Sequence, residues 1–184
     1  MNVSGLLASL KSIESYRTLR AGLASGPMPP PLDLLRAARP FLLAALACDL
    51  QRPMLVVAGS VERAKTLVHS LRDWSSAADH ILRFPEPLTL FYERAPWTDD
   101  VIVDRLRVLS ALHSQSATRN SPLIIASARA LMQRTLPVRQ FRVSIRHLRV
   151  GQTLGLERAL NRWAGLGYEP VSVVEAPGQF SHRG

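Results

Sequence analysis

The 184-residue chain carries a single cysteine, Cys48, so no intramolecular disulfide can form. Lysine is almost as scarce: of 23 basic residues, all but Lys11 and Lys65 are arginine. Aromatic residues make up only 6% of the chain, which leaves little for stacking on nucleic-acid bases. Long apolar runs are missing too. The run Phe41 to Ala47 is far too short to span a bilayer and is closed by Asp49. Met1 to Leu10 has no basic region ahead of an apolar core, so a secretory signal is not expected. These absences predict a soluble protein of a reducing cytoplasm, with Cys48 as a small core residue.

Carboxylates are absent from one stretch. Between Arg105 and Gln152 there are nine arginines and no acid, while the rest of the chain balances 14 basic residues against 14 acidic ones. The formal net charge of +9 is therefore regional. Arg105, Arg107, Arg129, Arg134, Arg139, Arg142, Arg146 and Arg149 suit a phosphate backbone or an acidic protein face. Phe141 is the one aromatic among them, which argues against a platform for single strands.

What is present reads as α/β. Leu6, Leu7, Leu10, Ile13 and Leu19 recur at helical spacing and predict one helix over residues 3–24, ended by Gly26 to Pro31. A strand or turn at Leu32 to Leu35 leads to a helix from about Pro40. Pro53 to Ala58 and Ser121 to Ala126 are continuous apolar runs, as strands covered on both faces should be. Ser60 caps a helix to about Trp74 with Val61, Ala64, Leu67, Val68 and Leu71 inward. His80 to Phe84 is a further strand. Thr98 caps a helix whose apolar stripe includes Val101, Leu106, Leu109 and Leu112, with Asp99 and Asp100 complementing its dipole. A short helix follows Ser127. This alternation predicts a mostly parallel sheet with right-handed crossovers. Beyond Phe141 the texture changes: a strand over Arg142 to Val150, a helix over Thr153 to Ala164, a strand over Tyr168 to Glu175, then a turn at Pro177-Gly178 and a strand from Gln179 that starts a hairpin.

Searches for catalytic patterns return little. The loop Leu35 to Phe41, in the position of a phosphate-binding loop, has no glycine, lysine or hydroxyl; Arg36 and Arg39 could attract a phosphate, but nothing there would hold magnesium. His69, His80, His113, His147 and His182 are isolated, without a Cys or second His at ligand spacing. Gly59-Ser60 lacks the frame of a nucleophile elbow. Asp99, Asp100 and Asp104 read as a helix N-terminus and solvated turn rather than a carboxylate site. No catalytic, cofactor-binding or metal-binding residue emerges.

Three stretches carry a resemblance. Phe84 to Glu93, followed by Arg105-Leu106, resembles a block in the N-terminal region of bacterial transcription-repair coupling factors (Mfd). Pro122 to Arg134, with Ser127 and Ala130-Leu131-Met132-Gln133-Arg134, looks like a second segment of the same region. Val150-Gly151-Gln152 through Gly167-Tyr168, then Val174 to Gly184, is similar to a third and the most specific. The resemblance covers about residues 34–184. It implies a degenerate RecA-like (P-loop-type) parallel-sheet domain, similar to the corresponding domain of the repair protein UvrB, over residues 32–140. Residues 1–31 would be an N-terminal helix and Pro-rich linker, and residues 141–184 the start of a small α/β UvrA-binding domain. It implies that Arg183, just before the last glycine, contacts UvrA, the first protein of nucleotide-excision repair. ATP and magnesium would belong to motor domains outside this chain, as would contacts to RNA polymerase and double-stranded DNA, with no membrane and no small-molecule substrate. Gln179, where the family usually has Glu, and the proline-containing segment Gly26 to Pro31 depart from the pattern. The alternative reading is a DNA-backbone-binding module through Arg105 to Arg149.

Overall fold

A computed structural model of the chain describes residues 3–26, 29–75, 78–87, 97–113 and 121–182. The chain divides into two compact units, Met1–Arg134 and Thr135–Gly184.

The first unit opens with a 3-10 helix, Ser4–Ser12, and α1, Glu14–Ser25, where the sequence predicts one continuous helix. Ile13 between them is extended (φ −85°, ψ 122°). The reason is facial. Leu10 and Tyr16 would lie about 120° apart around an unbroken α-helix, yet both are buried in the same core. Breaking the helix at Ile13 brings both to one side and leaves Leu6 and Ile13 exposed, against the expected stripe. Residues 32–35 form no strand and pass into a short 3-10 turn, Arg36–Ala38, then α2, Arg39–Leu50. Cys48 is exposed, one turn beyond the buried Ala44 and near the end of α2, which corrects the core assignment.

Three parallel strands follow: β1 (Met54–Ala58), β2 (Ile81–Phe84) and β3 (Leu123–Ser127), in the order β1-β3-β2. Between β1 and β2 runs α3, Val61–Trp74, whose first turn is capped by the Ser60 hydroxyl accepting from the Arg63 N–H at 3.2 Å. Between β2 and β3 runs α4, Asp99–His113, and α5, Ala128–Met132, leaves β3 directly. The two faces of the sheet carry separate cores. Val56, Ile81, Leu123 and Ile125 pack with α1, α2 and α3, whereas Phe84, Ile124 and Ala126 pack with Val108 of α4 and Ala130 of α5. Every residue of β3 is buried, as its apolar run predicts. β1 differs: Leu55 and Val57 are 53% and 54% exposed. β1 is the edge of the sheet, and α4 and α5 cover only β2 and β3 on that face.

Asp49, at the end of α2, ties the N-terminal helices down. It accepts from the Tyr16 hydroxyl at 3.0 Å and faces Lys11 at 3.1 Å and Arg20 at 3.6 Å. Burial, then the hydrogen bond to Asp49 and its charge, push the Tyr16 phenol well above its ordinary range. The folded chain therefore holds that proton longer than the unfolded chain. Its contribution is intact below about pH 10, the unfolded value, and is lost progressively as pH rises from there toward the raised folded value. Tyr16→Phe is expected to make the alkaline fall in urea midpoint shallower than in the unaltered chain. Parallel limbs would show that Tyr16 does not couple to folding.

The second unit holds α6 (Val138–Ser144), α7 (Leu156–Gly165) and two short strands, β4 (Glu169–Pro170) and β5 (Gln179–Phe180). Where a strand was expected over residues 142–150, α6 runs to Ser144 and an irregular segment follows. Arg139 and Arg142, three residues apart, lie on α6, whose buried residue is Phe141, whereas Arg146 and Arg149 fall in the irregular segment. β4 pairs with β5 in parallel, not as a hairpin. Gly167 closes α7 at φ 91° and Gly178 precedes β5 at φ 92°, a backbone region that suits glycine.

Candidate functional site

Arg183, the one site residue carried by the resemblance, lies outside the described residues. The platform leading to it is described. Gln179 Oε1 accepts from the N–H groups of Glu175 at 2.9 Å and Ala176 at 3.0 Å, closing the loop before β5. A Glu here would use the same oxygen geometry, so Gln179 keeps the acceptor and drops the charge. The Ser181 hydroxyl donates to Ser172 O at 3.0 Å, and the Phe180 ring lies 5.7 Å from that of Trp163 on α7. The turn is thus fixed by side chains on both flanks.

One of the arginines between 105 and 152 is not on the surface. Arg105 is 3% exposed. The buried face of α4 is Val101, Arg105 and Val108, not the expected Leu106, Leu109 and Leu112; Leu106 and Leu112 are exposed. The Arg105 guanidinium donates to Pro85 O at 2.8 Å, Ala130 O at 3.3 Å and Gln133 O at 3.4 Å. Its carbon lies 3.9 Å from the centre of the Phe84 ring and 5.0 Å from that of Trp97. Burial pulls its pKa below the ordinary arginine value, yet a guanidinium keeps its proton at physiological pH. Arg105 is therefore a clamp that joins α4 to the loop after β2 and to the C-terminal end of α5, where a cation is favoured. Sequence reasoning grouped it with the surface charges; its place between Val101 and Val108 at helical spacing was the available signal.

Arg107 approaches Asp104 at 3.4 Å, and Asp104 also pairs with Arg83 at 3.2 Å, so the acidic cluster is split between ion pairs and the start of α4. A hydrogen bond from Thr98 holds the Asp100 carboxyl below its usual range. Arg119 lies outside the described residues. Arg129 stands 4.0 Å from Glu86, and Arg139, Arg142, Arg146 and Arg149 lie in the second unit. Phe141 is buried and offers no stacking face.

Two clefts of the first unit bear on the nucleotide question. One, of about 790 Å³, is lined by Arg36, Arg39, Arg63 and Trp74 beside α2 and α3. Its hydroxyls are engaged: Thr66 donates to Glu62 O at 2.9 Å and Ser70 to Thr66 O at 3.0 Å. The other, of about 460 Å³, opens at the carboxyl ends of the strands, where α/β sheets commonly receive ligands. There the Glu86 carboxylate accepts from Ser127 Oγ at 2.7 Å, and the same Oγ accepts from the Ala130 N–H at 3.1 Å. The cleft thus carries a carboxylate of its own on the Ser127 hydroxyl. Among the described residues, no group of three or more His, Cys, Asp or Glu could hold a metal ion, and no helix is long and apolar enough to cross a membrane.

No family model matches the chain. It is similar to the transcription-repair-coupling factor of Myxococcus xanthus, with 31% identity over 80% of this chain and 12% of that protein. It is 24% identical to that of Bacillus subtilis over 95% of this chain and 14% of that protein, and 29% identical to that of Mycobacterium bovis over 99% and 15%. The chain therefore spans 12–15% of the length of these curated relatives.

Proposed function

From its homology to a segment of the transcription-repair-coupling factors, we propose that this chain is the N-terminal adaptor module of such a factor, recruiting UvrA for transcription-coupled nucleotide-excision repair. The observation that carries this reading is the run from Val150-Gly151-Gln152 through Gly167-Tyr168 to Arg183-Gly184, which the family resemblance assigns to UvrA contact. The fixing of Gln179, Phe180 and Ser181 supports it. On this reading residues 32–140 are a degenerate RecA-like domain, residues 141–184 are the start of the UvrA-binding domain, and residues 1–31 precede both. The glycine-free loop from Leu35 to Phe41 supports a decayed nucleotide site, and so does the Glu86 carboxylate on Ser127. ATP-driven translocation on double-stranded DNA and displacement of RNA polymerase then belong to other parts of the cytoplasmic parent protein. The competing DNA-backbone reading is weakened, because Arg105 is buried and Arg107 is paired.

Arg183 acts here as an interface cation, since a guanidinium stays charged and presents several donors in a fixed plane. Calorimetric titration of the chain with UvrA tests the reading. Arg183→Ala is expected to weaken binding by about 2 kcal/mol, roughly 30-fold. Binding unchanged by the substitution would move the contact elsewhere. Absence of binding by this chain and by one extended past Gly184 would overturn the adaptor reading.

A further inference from the structure

The unit Thr135–Gly184 contains seven arginines and three glutamates. Three of those arginines, Arg146, Arg158 and Arg162, line one groove of about 490 Å³. Arg158 and Arg162 stand four residues apart on α7, so their like charges share a face of the helix. Arg146 reaches the same groove from the segment between α6 and α7. Among the described residues none of the three makes an ion pair. Arg162 donates from Nη2 to Val143 O at 2.6 Å, while its Nε is buried without a hydrogen-bond partner among the described residues. A desolvated guanidinium edge beside two further cations is unfavourable until an anion comes within reach.

The groove is not polar throughout. Leu148 and Leu154, 58% and 47% exposed, form part of its wall, and Trp163 lines it as well. α7 also begins at Gly155 with no side-chain cap, which leaves first-turn N–H groups beside Arg158.

We propose that this groove docks an acidic segment of a partner protein, with carboxylates on Arg146, Arg158 and Arg162 and an apolar side chain against Leu148 and Leu154. Guanidinium groups are suited to carboxylates because their paired N–H groups match the two oxygens. The apolar wall of Leu148 and Leu154 favours a peptide over a nucleic-acid backbone, which has no apolar side chain to cover it. Most of the groove lies within the run that carries the adaptor reading, but it does not include Arg183, so the two contacts can be tested apart.

The test is fluorescence titration of the full chain with an eight-residue peptide of alternating glutamate and leucine pairs. The same peptide with lysine for glutamate, and a twelve-nucleotide oligothymidylate, serve as comparisons. The acidic peptide is expected to bind, and the lysine peptide not to. The double variant Arg146→Gln, Arg158→Gln is expected to weaken binding about tenfold or more, on the strength of two charge-assisted contacts. Both side chains are exposed, so the fold should survive, which circular dichroism checks. Arg183→Ala is expected to leave peptide binding unchanged, which separates this site from the adaptor contact. Failure of the acidic peptide to bind overturns the proposal, and so does equal binding by the double variant. Oligothymidylate binding tighter than the peptide and lost in the double variant would assign the groove to phosphate instead.

Discussion

Replacing Arg105 with alanine is expected to destabilise the first unit by about 3–5 kcal/mol, a large part of the margin by which a domain of this size is folded. Three carbonyls, on Pro85, Ala130 and Gln133, would lose their donor together. Buried acceptors left without partners carry their full desolvation penalty. The Phe84 and Trp97 rings would lose the cation they face, and a cavity would open between α4 and the loop after β2. Arg105→Lys is expected to recover little, because a single ammonium cannot reproduce the planar fork that reaches all three oxygens. Arg105→Met, which keeps apolar volume, should fall between alanine and the unaltered chain. Urea unfolding followed by far-UV circular dichroism measures all three. A loss below about 0.5 kcal/mol in the alanine variant would place Arg105 among ordinary surface charges.

Ile125→Ala should cost about 3–4 kcal/mol by the same measurement, since Ile125 is fully buried at the centre of the middle strand. Its register partner Val56 on β1 and the α1 to α3 layer close over it, so the cavity cannot be filled by small shifts. Val57→Thr, next to Val56 on β1, should change stability by no more than about 0.5 kcal/mol, because Val57 is half exposed. The two strands have similar apolar sequences, so the contrast isolates position in the sheet. Equal losses at both positions would mean that a layer also covers the open face of β1.

The alternation of strands and helices was legible along the chain because apolar runs and caps are local signals. Ser60 before Val61 and Ser127 before Ala128 mark helix starts that the structure keeps. The residues leading to the candidate site were legible as a motif, and the turn at Pro177-Gly178 was legible as a break. The groove of Arg146, Arg158 and Arg162 was not, since its members come from two segments that only folding brings together. The spacing of Arg158 and Arg162 hinted at a shared face, but without the wall of Leu148 and Leu154 it reads as ordinary solvated charge.

By itself, the sequence settles the mixed α/β class, the parallel runs of β1 and β3 and the regional positive charge, because each depends on neighbours within a few residues or on composition. Tertiary structure alone decides that one of the nine arginines is a buried clamp, that Cys48 faces out, and that β1 is an edge with one face open. It also decides that β4 and β5 run parallel. These outcomes depend on which surface packs against which, and a side chain's partner across the sheet or at the far end of a helix leaves no mark on its neighbours in the chain.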